Sequence, residues 1–262
     1  MRLPTKIGID SEGYILNQTA KENIQQEFRP VLNAAISLLK MSLDGNLHSI
    51  YIYGSVGRGE AKQGISDLDL NVIVYSFPST KEKNQLLADT ERLVEQYKSA
   101  IKVDYSFVQL EEAVSLENKY EWGFWLRHMC SCLHGEDLSK QFERMKPNEK
   151  ISAALNGNIE QLMGQFRQEL QQDQPASKQR KRSMLKRIIR GAYLKINVLD
   201  ESWSTESGEN LNILMHYFPK DPLFQEIRRL QLCEEEISSS ELISLIDQFR
   251  GWLMASGGMN AL

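Results

Sequence analysis

Residues Tyr53–Val74 read YGSVGRGEAKQGISDLDLNVIV, and this stretch decides the fold. Its first half carries Gly54, Gly57 and Gly59 without an apolar period, which predicts a loop over Gly54–Ser66. The segment that follows, Asp67–Tyr75 (DLDLNVIVY), begins with alternation and becomes continuously apolar, as a buried strand does. Just upstream, Leu47–Tyr53 (LHSIYIY) is short, β-branched and aromatic, so it predicts a strand. Downstream, Pro78 and Ser79 punctuate the chain, Thr80–Ala100 is a charged amphipathic helix, and Lys102–Val108 (KVDYSFV) is a third strand.

Working outward, Lys6–Leu16 predicts a short extended segment with a turn at Asp10–Gly13. Thr19 and Glu22 form a capping-box pattern, and Ile24, Phe28, Leu32, Ala35, Leu39 and Leu43 follow at helical spacing until Asp44-Gly45-Asn46. Helix–strand–loop–strand–helix–strand makes a small mixed sheet with helices packed on it. After Val108 the pattern changes. Leu110–Leu133 reads as helix with irregular breaks, Lys146–Gln172 is amphipathic, and Gln172–Ser177 reads as a linker. Helices are expected over Lys178–Leu199, Glu209–Tyr217, Pro222–Cys233 and Ser240–Ala255. The expected class is therefore α+β, with a sheet-containing domain over residues 1–140 and a helical bundle over 141–262.

The 262 residues carry 31 Lys and Arg against 35 Asp and Glu, a net charge of −4, and 41% are hydrophobic. That is the composition of a soluble globular protein of one large or two small domains. No charge-free run exceeds 13 residues (Gly45–Gly57), short of the roughly 20 a membrane helix needs. The opening MRLPTKIGID has no long apolar run, so no signal peptide is expected. Three cysteines, an odd number, argue against a disulfide framework and for a reducing compartment, the cytoplasm. The acidic balance speaks against a nucleic-acid partner. A monomer or homodimer without membrane association is expected.

The chemistry concentrates in the same stretch. Glycines let the backbone turn tightly, and successive amides in such a turn form an anion-binding nest. Ser55 and Arg58 add a hydroxyl and a guanidinium suited to phosphate oxygens. Asp67 and Asp69, two apart at the start of a strand, share one face. Two carboxylates held that close call for a cation, and an all-oxygen donor set favours Mg²⁺. Asp104 lies between Val103 and Tyr105 in the next strand, where an unpaired carboxylate is costly. If the two strands are neighbours in register, three carboxylates meet beside a phosphate loop, the equipment of metal-assisted phosphoryl or nucleotidyl transfer.

Gly54-Ser55, then Arg58-Gly59, then Ser66-Asp67-Leu68-Asp69-Leu70 resembles the signature of the DNA polymerase β-like nucleotidyltransferase superfamily. In size and layout the chain is similar to the bacterial aminoglycoside nucleotidyltransferases, which join a nucleotidyltransferase domain to a helical one. Arg190, Tyr193, Trp203-Ser204 and Tyr217-Phe218-Pro219 fall in an order similar to the streptomycin/spectinomycin branch. That branch's Ser-Lys-Asp is replaced by Ser204-Thr205-Glu206. The resemblance implies a Mg²⁺-dependent adenylyltransferase. Gly54 and Ser55 would hold the β- and γ-phosphates of ATP, and Asp67 and Asp69 two Mg²⁺ ions. Asp104 would bind one ion and lie near the acceptor hydroxyl as its base. A small hydroxylated acceptor, such as an aminoglycoside-like antibiotic, would receive AMP with release of pyrophosphate, a reaction of antibiotic resistance. The alternative acceptor is a protein hydroxyl, as in antitoxin-type members, or an RNA end.

Three other features were weighed. Lys178–Arg190 holds seven basic residues and no acid. Its plain reading is a solvated helix face, with Leu185, Ile188, Ile189, Ala192 and Ile196 turned inward. Arg182, Lys186 and Arg190 nevertheless form one i, i+4, i+8 stripe, and Lys186 and Arg190 are assigned to the triphosphate. His128-x-Cys130-x-Cys132-x-His134 cannot converge tetrahedrally and reads as core packing rather than zinc. Glu117, Glu121, Trp122, Glu201, Trp203, Glu206 and Glu209 would suit a cationic sugar but read first as surface acids and packed aromatics.

Overall fold

A computed structural model describes residues 3–171, 178–232 and 237–256. The chain divides into two compact units, residues 16–145 and residues 1–15 with 146–262. The sequence pattern predicts this boundary at 140/141 and places the N-terminal residues with the sheet.

In the first unit, the apolar period of residues 29–43 forms helix α1 (Arg29–Leu43). The helix expected from Thr19 starts ten residues later because Pro30, interior to the longer helix, would lose a hydrogen bond and clash with the preceding turn. In the first turn of α1 its missing N–H costs nothing. Thr19 instead donates its hydroxyl to the Met129 carbonyl (3.0 Å), and short 3₁₀ turns occupy Lys21–Asn23 and Gln26–Phe28. Strand β1 (Leu47–Tyr53) follows, then a five-residue helix α2 (Gly54–Arg58) where a loop was expected. Two glycines at positive φ make this possible: Gly54 (74°) turns the chain sharply out of the strand, and Gly59 (77°) ends the helix.

Strand β2 (Leu68–Val74), helix α3 (Thr80–Tyr97) and strand β3 (Val103–Gln109) form a crossover, and β2 and β3 are parallel. Helix α3 opens on a capping box: Ser79 N donates to Glu82 Oε2 at 2.7 Å, and Glu82 N donates to Ser79 Oγ. Sheet order is β3-β2-β1-β4, with β4 (Ser131–Gly135) antiparallel to β1. The expected broken helix over Leu110–Leu133 is α4 (Leu110–Val114), a π-helical turn at Lys119–Gly123 and α5 (Phe124–His128). It stops before β4, whose half-buried residues carry no apolar signature.

Period-two geometry gives the sheet two unlike faces. Ile50, Ile52, Leu68, Leu70, Val72, Val74 and Val103 lie in one core with Leu32, Ala35 and Leu39 of α1 and Leu86 of α3. Each fully buried aliphatic there contributes about 1.5–3 kcal/mol. The opposite face carries Tyr51, Tyr53, Asp69, Asn71 and Asp104.

The second unit is helical: α6 (Glu149–Asn156), α7 (Ile159–Gln171), α8 (Lys178–Tyr193), α9 (Ser207–Tyr217), α10 (Pro222–Leu232) and α11 (Ser239–Ser256). The expected linker Gln172–Ser177, and Cys233, lie outside the described residues. Helix α8 ends at Tyr193, short of Leu199, and turns follow in which Asn197 and Asp200 are fully buried and hydrogen-bonded. Of the expected inward residues, Leu185, Ile188, Ile189 and Ala192 of α8 are buried, as is Ile196 in the turns that follow it. The N-terminal segment belongs here through Asp200, which accepts from Thr5 N (2.8 Å) and Tyr217 Oη (3.0 Å). The Asp10–Gly13 turn is present, with Asp10 Oδ1 accepting from the Glu12 and Tyr14 amides beside an Ile9–Ile15 bridge. Among the described residues no helix is long and apolar enough to cross a membrane.

Candidate active site

The parallel ladder sets Asp69 directly beside Asp104, in register between Leu68↔Val103 and Leu70↔Tyr105. Both side chains therefore leave the same face of the sheet. Asp67, two residues before Asp69, is brought to the same edge, where Lys102 ties it to Asp104. The Lys102 Nζ lies 2.6 Å from Asp104 Oδ2 and 3.3 Å from Asp67 Oδ2. The structure thus brings the three carboxylates together at the point where β2 and β3 begin.

Burial is distributed differently from the expectation. The sequence predicts Asp104 as the enclosed carboxylate, but its side chain is 46% exposed and paired with Lys102. The strained one is Asp69. Burial raises its carboxyl to about 6, the charges of Asp67 and Asp104 push the same way, and Lys102 and Arg58 only partly offset them. Lys102 is held above its ordinary value, first by its hydrogen bond to Asp104. On the same face Tyr53 is opposite Asp69, and burial, then Asp69, push its phenol well up. The Tyr53 ring meets Trp125 edge-on at 5.5 Å, so Trp125 packs against the site's floor. Behind it Asn71 Nδ2 donates to the buried Cys130 Sγ at 3.1 Å.

Gly54 is at the end of β1 because nothing larger fits. A Cβ there would lie 2.2 Å from Asp69 Oδ2. The first turn of α2 is thereby pressed against the half-buried carboxylate of Asp69. The leading amides of a helix have no intrahelical acceptor, and Gly54 and Ser55 supply two of them. Arg58 pairs with Glu60 (2.8 Å) and keeps only 14% of its side chain exposed. Lys186 and Arg190, the other residues assigned to the triphosphate, are on the exposed face of α8 in the helical unit.

The donor chemistry suits a hard divalent cation: three carboxylates on one sheet edge, one of them destabilised by the other two. As the side chains stand, however, no three His, Cys, Asp or Glu residues among the described ones are grouped to hold a metal ion. The Lys102 ammonium, within 3.3 Å of Asp67 Oδ2 and 2.6 Å of Asp104 Oδ2, contacts two of the three carboxylates. Lys102, which pairs with two of the candidate site's carboxylates, carries no functional expectation from the sequence. Its signal was the period-two spacing to Asp104, which puts the two on one strand face. The His128–His134 motif is not a metal centre: His128 Nε2 accepts from Met145 N (2.9 Å), and Cys130 is buried.

Residues 39–126 match the family model described as nucleotidyltransferase domain. In three dimensions the chain is similar to the spectinomycin adenyltransferase AAD(9) from Enterococcus faecialis, whose crystal structure holds ATP and spectinomycin. The TM-score is 0.55 at 14% identity, over 84% of this chain and 98% of that one. At this identity the likeness is one of fold. No curated protein matches in sequence.

Proposed function

We propose that this protein, whose residues 39–126 match a nucleotidyltransferase domain model, transfers AMP from ATP to a hydroxyl of a small acceptor, of the aminoglycoside-like class, releasing pyrophosphate. The observation that carries the reading is the meeting of Asp67, Asp69 and Asp104 at one sheet edge, against the Gly54 turn. The fold-level neighbour's ATP and spectinomycin agree with a nucleotide and a small polyhydroxylated acceptor.

Asp67, Asp69 and Asp104 are the oxygen donors that would hold Mg²⁺, which when bound neutralises charge on the transferring phosphoryl group. The chain's own residues do the rest. The Gly54-Ser55 turn offers backbone N–H groups to phosphate oxygens, and the Arg58 guanidinium adds positive charge nearby. Asp104, half exposed at the sheet edge, accepts the proton of the attacking hydroxyl. Asp69, enclosed and repelled by its neighbours, gains most from a counter-cation. Positioning and charge neutralisation then lower the barrier without a covalent intermediate. A cytoplasmic setting agrees with the free thiols of Cys130 and Cys132.

The test is pyrophosphate release from Mg-ATP across a panel of aminoglycosides and related hydroxylated compounds. Release that depends on one acceptor, and is lost in Asp67→Asn and Asp69→Asn proteins that still fold, supports the reading. Labelled AMP accumulating on a protein or RNA band instead would move the acceptor to that class. Absence of both nucleotide binding and pyrophosphate release would refute it.

A further inference from the structure

Lys102 precedes β3 and shares its carboxylate-bearing face. Its ammonium bridges Asp67 and Asp104, the two flanking members of the acidic group, at 3.3 and 2.6 Å. Half of its side chain is exposed, so it has room to leave toward solvent. A hard divalent ion takes carboxylate oxygens at about 2.0–2.1 Å and cannot share them with an ammonium already hydrogen-bonded there.

We propose that Lys102 is an exchangeable internal cation. It holds Asp67 and Asp104 together in the metal-free protein and withdraws when a divalent metal binds the same oxygens. The inference rests on the metal-dependent reading given above. Its consequence is a metal affinity lower than three carboxylates would confer alone, because every binding event must break two ammonium contacts.

The experiment is a Mn²⁺ titration of the intact protein without nucleotide, read by the electron paramagnetic resonance signal of free Mn²⁺. Wild type is compared with Lys102→Met, Lys102→Arg and Lys62→Met, the last removing the charge of an exposed lysine that lies in the loop leading into Asp67 and whose amide donates to Ser66 Oγ. Two half-exposed contacts, each contributing a few-fold, predict Mn²⁺ binding about five- to tenfold tighter in Lys102→Met. Lys102→Arg and Lys62→Met should stay within about twofold of wild type on the same reasoning. Melting in EDTA gives a second readout: Lys102→Met should melt lower than wild type and gain more from Mn²⁺. Equal Mn²⁺ affinity in wild type and Lys102→Met overturns the exchange and leaves the proposed function standing. So does equal tightening by Lys62→Met, which would make the effect one of charge at a distance. No Mn²⁺ uptake by any of the proteins overturns both.

Discussion

Replacing Asp69 by Asn should make the metal-free protein more stable at neutral pH, an unusual result for a residue assigned to catalysis. Burial and the charges of Asp67 and Asp104 raise its carboxyl from the ordinary 3.8 to about 6, and no hydrogen bond among the described residues compensates. A folded-state value above the unfolded one means the ionised form is disfavoured by folding. The stability associated with the protonated form is complete below pH 4 and lost as pH rises through about 6. At 1.36 kcal/mol per tenfold, the full cost near pH 8 is about 3 kcal/mol, and partial solvent screening brings it to about 2 kcal/mol. For a cooperative unit of this size, about 2 kcal/mol corresponds to roughly 7 °C in Tm. The assay is thermal melting of wild type and Asp69→Asn in EDTA at pH 4.5, 6 and 8, read by circular dichroism. The variant's advantage should be small at pH 4.5 and largest at pH 8, and saturating Mg²⁺ should reduce it by stabilising wild type alone. An Asp69→Asn protein that melts below wild type at pH 8, or by the same margin at every pH, would refute the charge-repulsion account of this site.

Other outcomes follow from single contacts. Gly54→Ala places a Cβ 2.2 Å from Asp69 Oδ2 at a φ of 74°; the backbone alone costs about 1–2 kcal/mol, so urea midpoints and ATP turnover should fall together. Asp200→Ala removes the acceptor of Thr5 N and Tyr217 Oη inside the helical unit. It should cost about 3 kcal/mol in urea unfolding and speed amide exchange at Thr5. Ser79→Ala breaks the capping box of α3 and should lower stability by about 1 kcal/mol in a urea melt, with little effect on turnover.

Much of the site was legible because its motif is local. Glycines that turn a chain and carboxylates two apart on a strand have meaning from spacing alone, so Gly54, Asp67 and Asp69 could be named together. Asp104 was also named, but on an argument from burial that the structure transfers to Asp69. Lys102 was passed over because a lysine at a strand entrance looks like ordinary surface until its partner strand is known. Helix α1 began late for a reason written in the sequence, Pro30, which the apolar period outweighed in the reading. Strand β4 left no trace because an edge strand with half-buried side chains is held by backbone pairing to β1 rather than by an apolar pattern.

Periodicity by itself determined the strands β1, β2 and β3, the helices that cover them and the α+β class, since each element's buried face is encoded within its own residues. Register, the pairing of the β4 edge, the attachment of residues 1–15 through Asp200 and the seating of the Lys102 ammonium between two acids were decided only in three dimensions. Each of these depends on which distant backbone lies alongside. That choice is made by packing of the shared core, to which the residues at the site contribute little.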